Sequence, residues 1–234
     1  MYEAARVAGD GPTTTARFAA TVADAGFDGV VALARHDDRP EDDLAAIRDA
    51  YDVDVVEGVE VVTDDKAVAS GTIGNLRPKT TVLAVRGGSP EMNRYVAENA
   101  AVDVLRAPMA GEGDVDHVVV RRAAENGVRL EVDLGPVLRR EGGPRVQALR
   151  GIRKLRDLVD DLDAPYVVSA SPSSHLSVRA PRELRAVGEA VGLGDEWVDR
   201  GLAEWSTIAE TNREKRSDRY VAEGVWIDGE GDDA

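Results

Sequence analysis

Residues 115–136, VDHVVVRRAAENGVRLEVDLGP, decide the fold. Val115 to Asn126 reads as an amphipathic helix, and Gly127 supplies the residue that most readily takes the left-handed conformation at a helix end. Val128, Leu130, Val132 and Leu134 then alternate with Arg129, Glu131 and Asp133, the period of a strand, until Gly135-Pro136 stops it. A helix handed to a strand through one glycine is part of a βα unit. C-terminal to it, the breaker Gly142-Gly143-Pro144 precedes Val146, Leu149, Ile152, Leu155, Leu158, Val159 and Leu162, one face of a helix reaching about Asp161. A strand over 166–170, a serine-rich loop and helices over 181–191, 195–203 and 206–216 follow. N-terminal to it, helices over 13–25, 42–50, 65–76 and 90–99 alternate with strands over 30–33, 53–62, 81–86 and 102–106.

This uninterrupted alternation predicts an α/β fold, a (β/α) barrel of TIM-like type with about seven strands, as a single domain over residues 1–218. Residues 219–234 form an acidic C-terminal tail, with five acids in the last twelve residues, expected to be mobile.

Composition narrows the function. Forty-four acids against 29 Lys plus Arg leave a formal charge of -15, which excludes a grip on nucleic acid through a general positive field; any polyanion contact must be local. Only four of the 29 cations are lysines (Lys66, Lys79, Lys154 and Lys215), and aromatics make up 4%. Acid-rich, lysine-poor chains suit multimolar salt, where the Debye length shrinks to ~3 Å at 1 M, so the acidity reads as a halophile's adaptation. The absence of cysteine excludes disulfides, thiolate nucleophiles and Cys-ligated metal, and fits a reducing compartment. No run approaches ~18 apolar residues and residues 1–10 lack an export signal, so a cytoplasmic location without membrane contact is expected.

Candidate sites each have a plain structural alternative. His36, His117 and His175 lack any metal-ligand spacing, and no metal site is assigned. Glu131 and Asp133 share one face of their strand, opposite Leu130, Val132 and Leu134; inside a barrel they would form a buried polar network or a relic of a metal site. The segment Ser169-Ala-Ser-Pro-Ser-Ser-His175 follows a strand, where barrels bind ligands, and reads as a phosphate or partner contact loop or as a plain loop; it lacks G-x-S-x-G and an acid to orient the histidine, so no catalytic residue is assigned. Gly87-Gly88-Ser89 before a helix is a weak anion-cradle signal. The local exception to acidity runs from Arg139 to Arg156, where seven bases face Glu141 alone. Arg150, Arg153 and Lys154 lie away from the apolar helix face, as an RNA-contacting ridge or as a solvated face paired with Asp157, Asp160 and Asp161. Arg179, Arg182 and Arg185 flank Pro181 beyond the serine loop and extend that reading.

A family resemblance rests on particular stretches. VRLEVDL at 128–134, Gly142-Gly-Pro-Arg145 leading into the arginine-rich helix, the strand from Tyr166 to Ser169, and the serine-rich stretch running into Val178-Arg-Ala-Pro-Arg-Glu183 resemble archaeal ribonuclease P protein component 3. Val191-Gly-Leu193, Ile208, Asn212-Arg213, the strand from Val102 to Pro108 and the turn from Ala25 to Val31 are similar as well. The resemblance implies a barrel related to PHP phosphoesterases that assists a catalytic RNA in removing the 5′ leader of precursor tRNA and is not itself the catalyst. It implies ribonuclease P RNA and protein component 2 as partners, with components 1 and 4 in the holoenzyme, precursor tRNA as substrate, no cofactor on the protein, and magnesium on the RNA. The PHP pattern D-x-H-x-H is replaced here by Met1-Tyr-Glu-Ala-Ala-Arg-Val-Ala-Gly9, which removes the expected metal ligands. Arg179 of the R-x-P-R segment and Arg106 of the strand-end motif become the first RNA-contact candidates, followed by Arg150, Arg153, Lys154 and Arg182. A PHP-like metal-dependent phosphoesterase is the alternative.

Overall fold

In the computed structural model, which describes residues 1–217, 220–222 and 225–226, strands and helices alternate as β1 (Tyr2–Val7), α1 (Thr15–Ala25), β2 (Gly29–Arg35), α2 (Leu44–Tyr51), β3 (Asp54–Val61), α3 (Lys66–Leu76), β4 (Val82–Arg86), α4 (Pro90–Ala97), β5 (Val104–Arg106), α5 (His117–Asn126), β6 (Arg129–Asp133), α6 (Gly135–Arg139), α7 (Gly142–Leu162), β7 (Tyr166–Ser169), α8 (Pro181–Val191) and α9 (Asp195–Lys215). Helix starts follow the acid-rich composition: Asp43, Asp65 and Asp116 each accept backbone N–H groups at the N-terminus of α2, α3 and α5. Gly26 and Gly127, both at positive φ, end α1 and α5 and let the next strand begin two or three residues on.

The seven strands pair in parallel in the order 1-2-3-4-5-6-7. No ladder joins β7 to β1. That seam is bridged by the Arg6 N–H donating to the Pro172 carbonyl at 2.8 Å and by the Ala170 N–H donating to the Glu3 carboxyl at 3.1 Å. The result is a nearly closed barrel, as expected from the sequence rhythm. Outward faces of the strands pack on the helices, while Ala4, Val31, Leu33, Val56, Val82, Ala84, Val104 and Val167 fill the interior. Gly58 has no side chain because a Cβ there would lie 2.8 Å from Val31 and 2.9 Å from Leu33 across the interior.

Four features depart from the sequence reading. Tyr2–Val7 is a strand whose charged Glu3 and Arg6 disguise its burial. Helix α7 starts at Gly142, four residues early, because Pro144 in a first turn withholds an N–H that has no acceptor there anyway. Gly135-Pro136, read as a stop, opens the short helix α6. The two helices expected over 195–216 are one, α9, which crosses the N-terminal ends of the strands. Along it Arg129 pairs with Glu204 at 2.8 Å, the Asn212 amide donates to Asp103 and to the Thr81 carbonyl at 2.9 Å, and Arg213 grips Asp54 at 2.7 and 2.8 Å. Trp205, Ile208 and Ala209 join the interior cluster, and Gly201 lets the helix approach Val168 where a Cβ would overlap it. Of the tail beginning at 219, only the antiparallel pair β8 (Tyr220–Ala222) and β9 (Val225–Trp226) falls within the described residues; the expected mobility of the rest lies outside them.

Candidate functional site

The C-terminal ends of the strands form an open mouth, and a charged layer lies over the apolar interior there. Because side chains alternate along a strand, the interior face that carries Ala4, Leu33, Ala84 and Val104 next presents Arg6, Arg35, Arg86 and Arg106. Glu60, Glu131 and Ser169 come from β3, β6 and β7. Arg86 and Arg106 stand in register on neighbouring strands, a like-charge juxtaposition that destabilises a sheet unless carboxylates intervene. They do intervene: Arg86 donates to Glu60 through Nε at 3.0 Å, and Arg106 donates to Glu131 through Nε and Nη2 at 3.0 and 2.8 Å.

Arg106 is 2% exposed. Burial opposes its charge, but Glu131 and Glu60 outweigh that and hold the guanidinium ionised. Burial likewise opposes the Glu131 carboxylate, and the Arg106 charge, with hydrogen bonds from Arg106, Ser169 and the Ala107 N–H, holds its pKa below the ordinary value. Asp133, nearer the rim, is pushed up to about 6 by burial and by the Glu131 charge. The buried polar network that the Glu131/Asp133 pattern suggested is therefore present. Among the described residues no three of His, Asp and Glu converge so as to hold a metal ion.

The structure separates the RNA-contact candidates. Arg106 has its side chain inside the barrel, where it donates to Glu131 and Ser171, and does not share the exposed surface of the other candidates. Arg150, Arg153 and Lys154 are exposed on α7, Arg153 donating to the Val191 carbonyl at 3.1 Å and Lys154 pairing with Asp114 at 2.5 Å. Arg179 is half-buried and donates to the Val178 carbonyl at 2.9 Å. Arg182 is exposed and lines a hollow with Met1 and Gly26, at the end where β1 begins, away from the mouth. Arg153 thus reaches the C-terminal end of α8, whereas Arg182 stands in the first turn of that helix.

Other candidates resolve into structural roles. The Gly88 N–H bonds Asn93 at 3.2 Å and Ser89 caps α4, so the Gly87-Gly88-Ser89 turn offers no cradle. Ser169 and Ser171 donate to Glu131 at 2.8 and 3.1 Å, while His175 meets Thr13 at 3.1 Å, which leaves no serine on the histidine. His36 accepts from the Val62 N–H at 3.4 Å, and His117 lies exposed at the start of α5. Arg6, Arg86, Arg139 and Arg140 line a hollow of about 270 Å³ in the mouth; the sequence reading placed Arg139 and Arg140 in the basic run leading into α7, and Arg6 and Arg86 escaped it. A signal existed: β2, β4 and β5 each end on arginine.

Fold and site together define a parallel (β/α) barrel whose mouth is furnished with arginine–carboxylate pairs where a barrel phosphoesterase would gather metal ligands. Comparison with known proteins takes this further. The chain belongs to the family described as RNase P subunit p30, whose model matches residues 1–217. Ribonuclease P protein component 3 of Haloarcula marismortui is 49% identical over the whole of both chains, and that of Natronomonas pharaonis is 51% identical over 100% of this chain and 99% of its own. The Methanosarcina barkeri protein of the same name is 30% identical over 95% of this chain and 93% of its own. A chain from a cryo-EM structure of archaeal ribonuclease P with mature tRNA superposes with a TM-score of 0.85 over 99% of both chains at 22% identity, a likeness of fold.

Proposed function

We propose that this chain is the component 3 protein subunit of a halophile's ribonuclease P and supports a catalytic RNA in removing the 5′ leader from precursor tRNA. The observation that carries the reading is full-length identity of about one half to proteins bearing that name. The mouth supports it, because its carboxylates Glu60 and Glu131 are engaged by Arg86 and Arg106 and, among the described residues, no three of His, Asp and Glu converge around a metal position. Magnesium then acts on the RNA, and protein component 2, with components 1 and 4, completes the assembly. Arg150, Arg153 and Lys154 are the RNA-facing set on α7, with Arg179 and Arg182 as a second contact. Close contact by guanidinium forks keeps its value at salt concentrations that abolish long-range attraction.

Reconstitution of the holoenzyme from its RNA and proteins tests this. The triple variant Arg150→Gln, Arg153→Gln, Lys154→Gln and the single variant Arg179→Ala are expected to raise the magnesium needed for half-maximal cleavage of precursor tRNA, with unchanged thermal melting of the isolated chain. The chain alone is expected to leave precursor tRNA intact. Cleavage by the protein without RNA would overturn the reading, and an unchanged magnesium requirement would remove the altered residues from the RNA-facing set.

A further inference from the structure

The mouth of the barrel holds more guanidinium than its carboxylates can satisfy. Arg6, Arg86, Arg106, Arg139 and Arg140 line one hollow of about 270 Å³ with Asp133 as its lining acid. Behind them, Glu60 and Glu131 are each engaged by arginine, and Glu3 sits in the β1–β7 seam. Two buried donors there have no hydrogen-bond acceptor, Arg6 Nε and Arg106 Nη1, and Arg106 is 2% exposed. Arg106 Nη1 has Glu60 at 3.3 Å, an ion pair without hydrogen-bond geometry. Unpaired buried N–H groups on charged side chains each cost more than an ordinary hydrogen bond's net value, so each calls for an acceptor, whether water, ion or ligand.

We propose that this hollow is a binding site for a phosphate group carrying two negative charges, either free phosphate or a monoester such as the terminal phosphate of a nucleic acid. The chemistry follows from the donors. Guanidinium forks match the oxygens of a tetrahedral oxyanion in pairs, and a dianion offers acceptors to Arg6 Nε, Arg106 Nη1 and the rim arginines at once. An internal phosphodiester carries one charge and has two bridging oxygens tied to the chain, so it meets fewer of these donors. Burial, with the neighbouring Arg106 and Arg86 charges, opposes the charge on Arg6, and an anion in the hollow would offset both. Arg86 and Arg6 also border the adjoining hollow of about 460 Å³ reaching Gly11 and Ser173, which gives the anion an open route from solvent. The inference stands apart from the role proposed for α7, because the mouth and the exposed face of that helix share none of these residues.

Calorimetric titration of the full chain with inorganic phosphate in multimolar potassium chloride tests it. Saturable binding at one site is expected, with a dissociation constant of about 1 mM or tighter. Arg6→Gln removes a buried unpaired donor and is expected to weaken binding at least tenfold, and Arg140→Gln on the rim gives the same direction should the first variant fold poorly. Arg122→Gln on α5, outside the lining of both hollows and paired with Glu125, leaves binding unchanged. A 5′-phosphorylated oligonucleotide that displaces phosphate identifies the terminal phosphate as a source, and failure to displace it restricts the site to free phosphate. Displacement by the same oligonucleotide lacking the terminal phosphate would overturn the assignment to a dianion. No saturable binding, or binding indifferent to both arginine variants, would overturn the site itself. None of these outcomes touches precursor-tRNA cleavage, which is measured on the reconstituted holoenzyme.

Discussion

Arg106 keeps its charge inside the protein because three oxygen-bearing side chains from three other strands or loops reach it: Glu60, Glu131 and Ser171. Such a group is fragile to loss of one partner. Glu131→Ala would leave the guanidinium without its main carboxylate and remove the acceptor of Ser169, Ser171 and the Ala107 N–H. We expect a cost of about 3–5 kcal/mol in urea unfolding at high salt, with a substantial part recovered in the double variant Arg106→Met, Glu131→Leu, since a packed apolar pair avoids the desolvation that the ion pair must overcome. A loss under about 1 kcal/mol in the single variant would mean that water reaches the cluster freely.

At the scale of elements, α9 does what no single strand can. It seals the N-terminal end of the barrel with ion pairs around its circumference and carries Trp205, whose indole N–H donates to the Val168 carbonyl at 2.9 Å, into the interior. Trp205→Ala opens a cavity in a place bounded by strands on several sides, so little collapse is available. The expected loss is about 3–5 kcal/mol. Leu176→Ala, at a position 79% exposed in the serine-rich loop, provides the contrast and should change stability by less than about 0.5 kcal/mol. Equal melting temperatures for the two variants would show that α9 is dispensable as a plug.

Across the whole molecule, a buried carboxyl in the seam links stability to pH. Glu3 occupies the seam where β7 and β1 fail to pair, and burial pushes its pKa up to about 8 from an ordinary 4.5, despite hydrogen bonds from Ala170 and Ala4. The folded chain therefore holds a proton that the unfolded chain releases between these values. The stabilisation linked to that proton is complete below about pH 4.5 and falls with rising pH, by at most about 1.4 kcal/mol per unit, until about pH 8. Asp133, raised to about 6, adds a contribution of the same sign over a narrower window that ends near pH 6. Urea midpoints measured from pH 5 to 8 should decline for the native chain and flatten in Glu3→Gln, which mimics the protonated seam. Parallel slopes for the two proteins would show that Glu3 is not the titrating group.

Local chemistry was enough to determine most of the alternation of elements, because helix periodicity, aspartate caps and the glycines at 26 and 127 are properties of a few adjacent residues. The Glu131/Asp133 pairing was legible for the same reason: a period of two puts both on one face wherever the strand goes. The tertiary structure decided which face turned inward. That choice buried Arg106, which reads in sequence like any strand-end arginine free to meet RNA, and it gathered Arg6, Arg86, Arg139 and Arg140 from segments up to 134 residues apart. It also made a strand of Tyr2–Val7, whose glutamate and arginine look like surface residues until neighbouring strands supply their partners. Charge pairing in a low-dielectric interior depends on distances between segments remote in sequence, and those distances exist only once the barrel has formed.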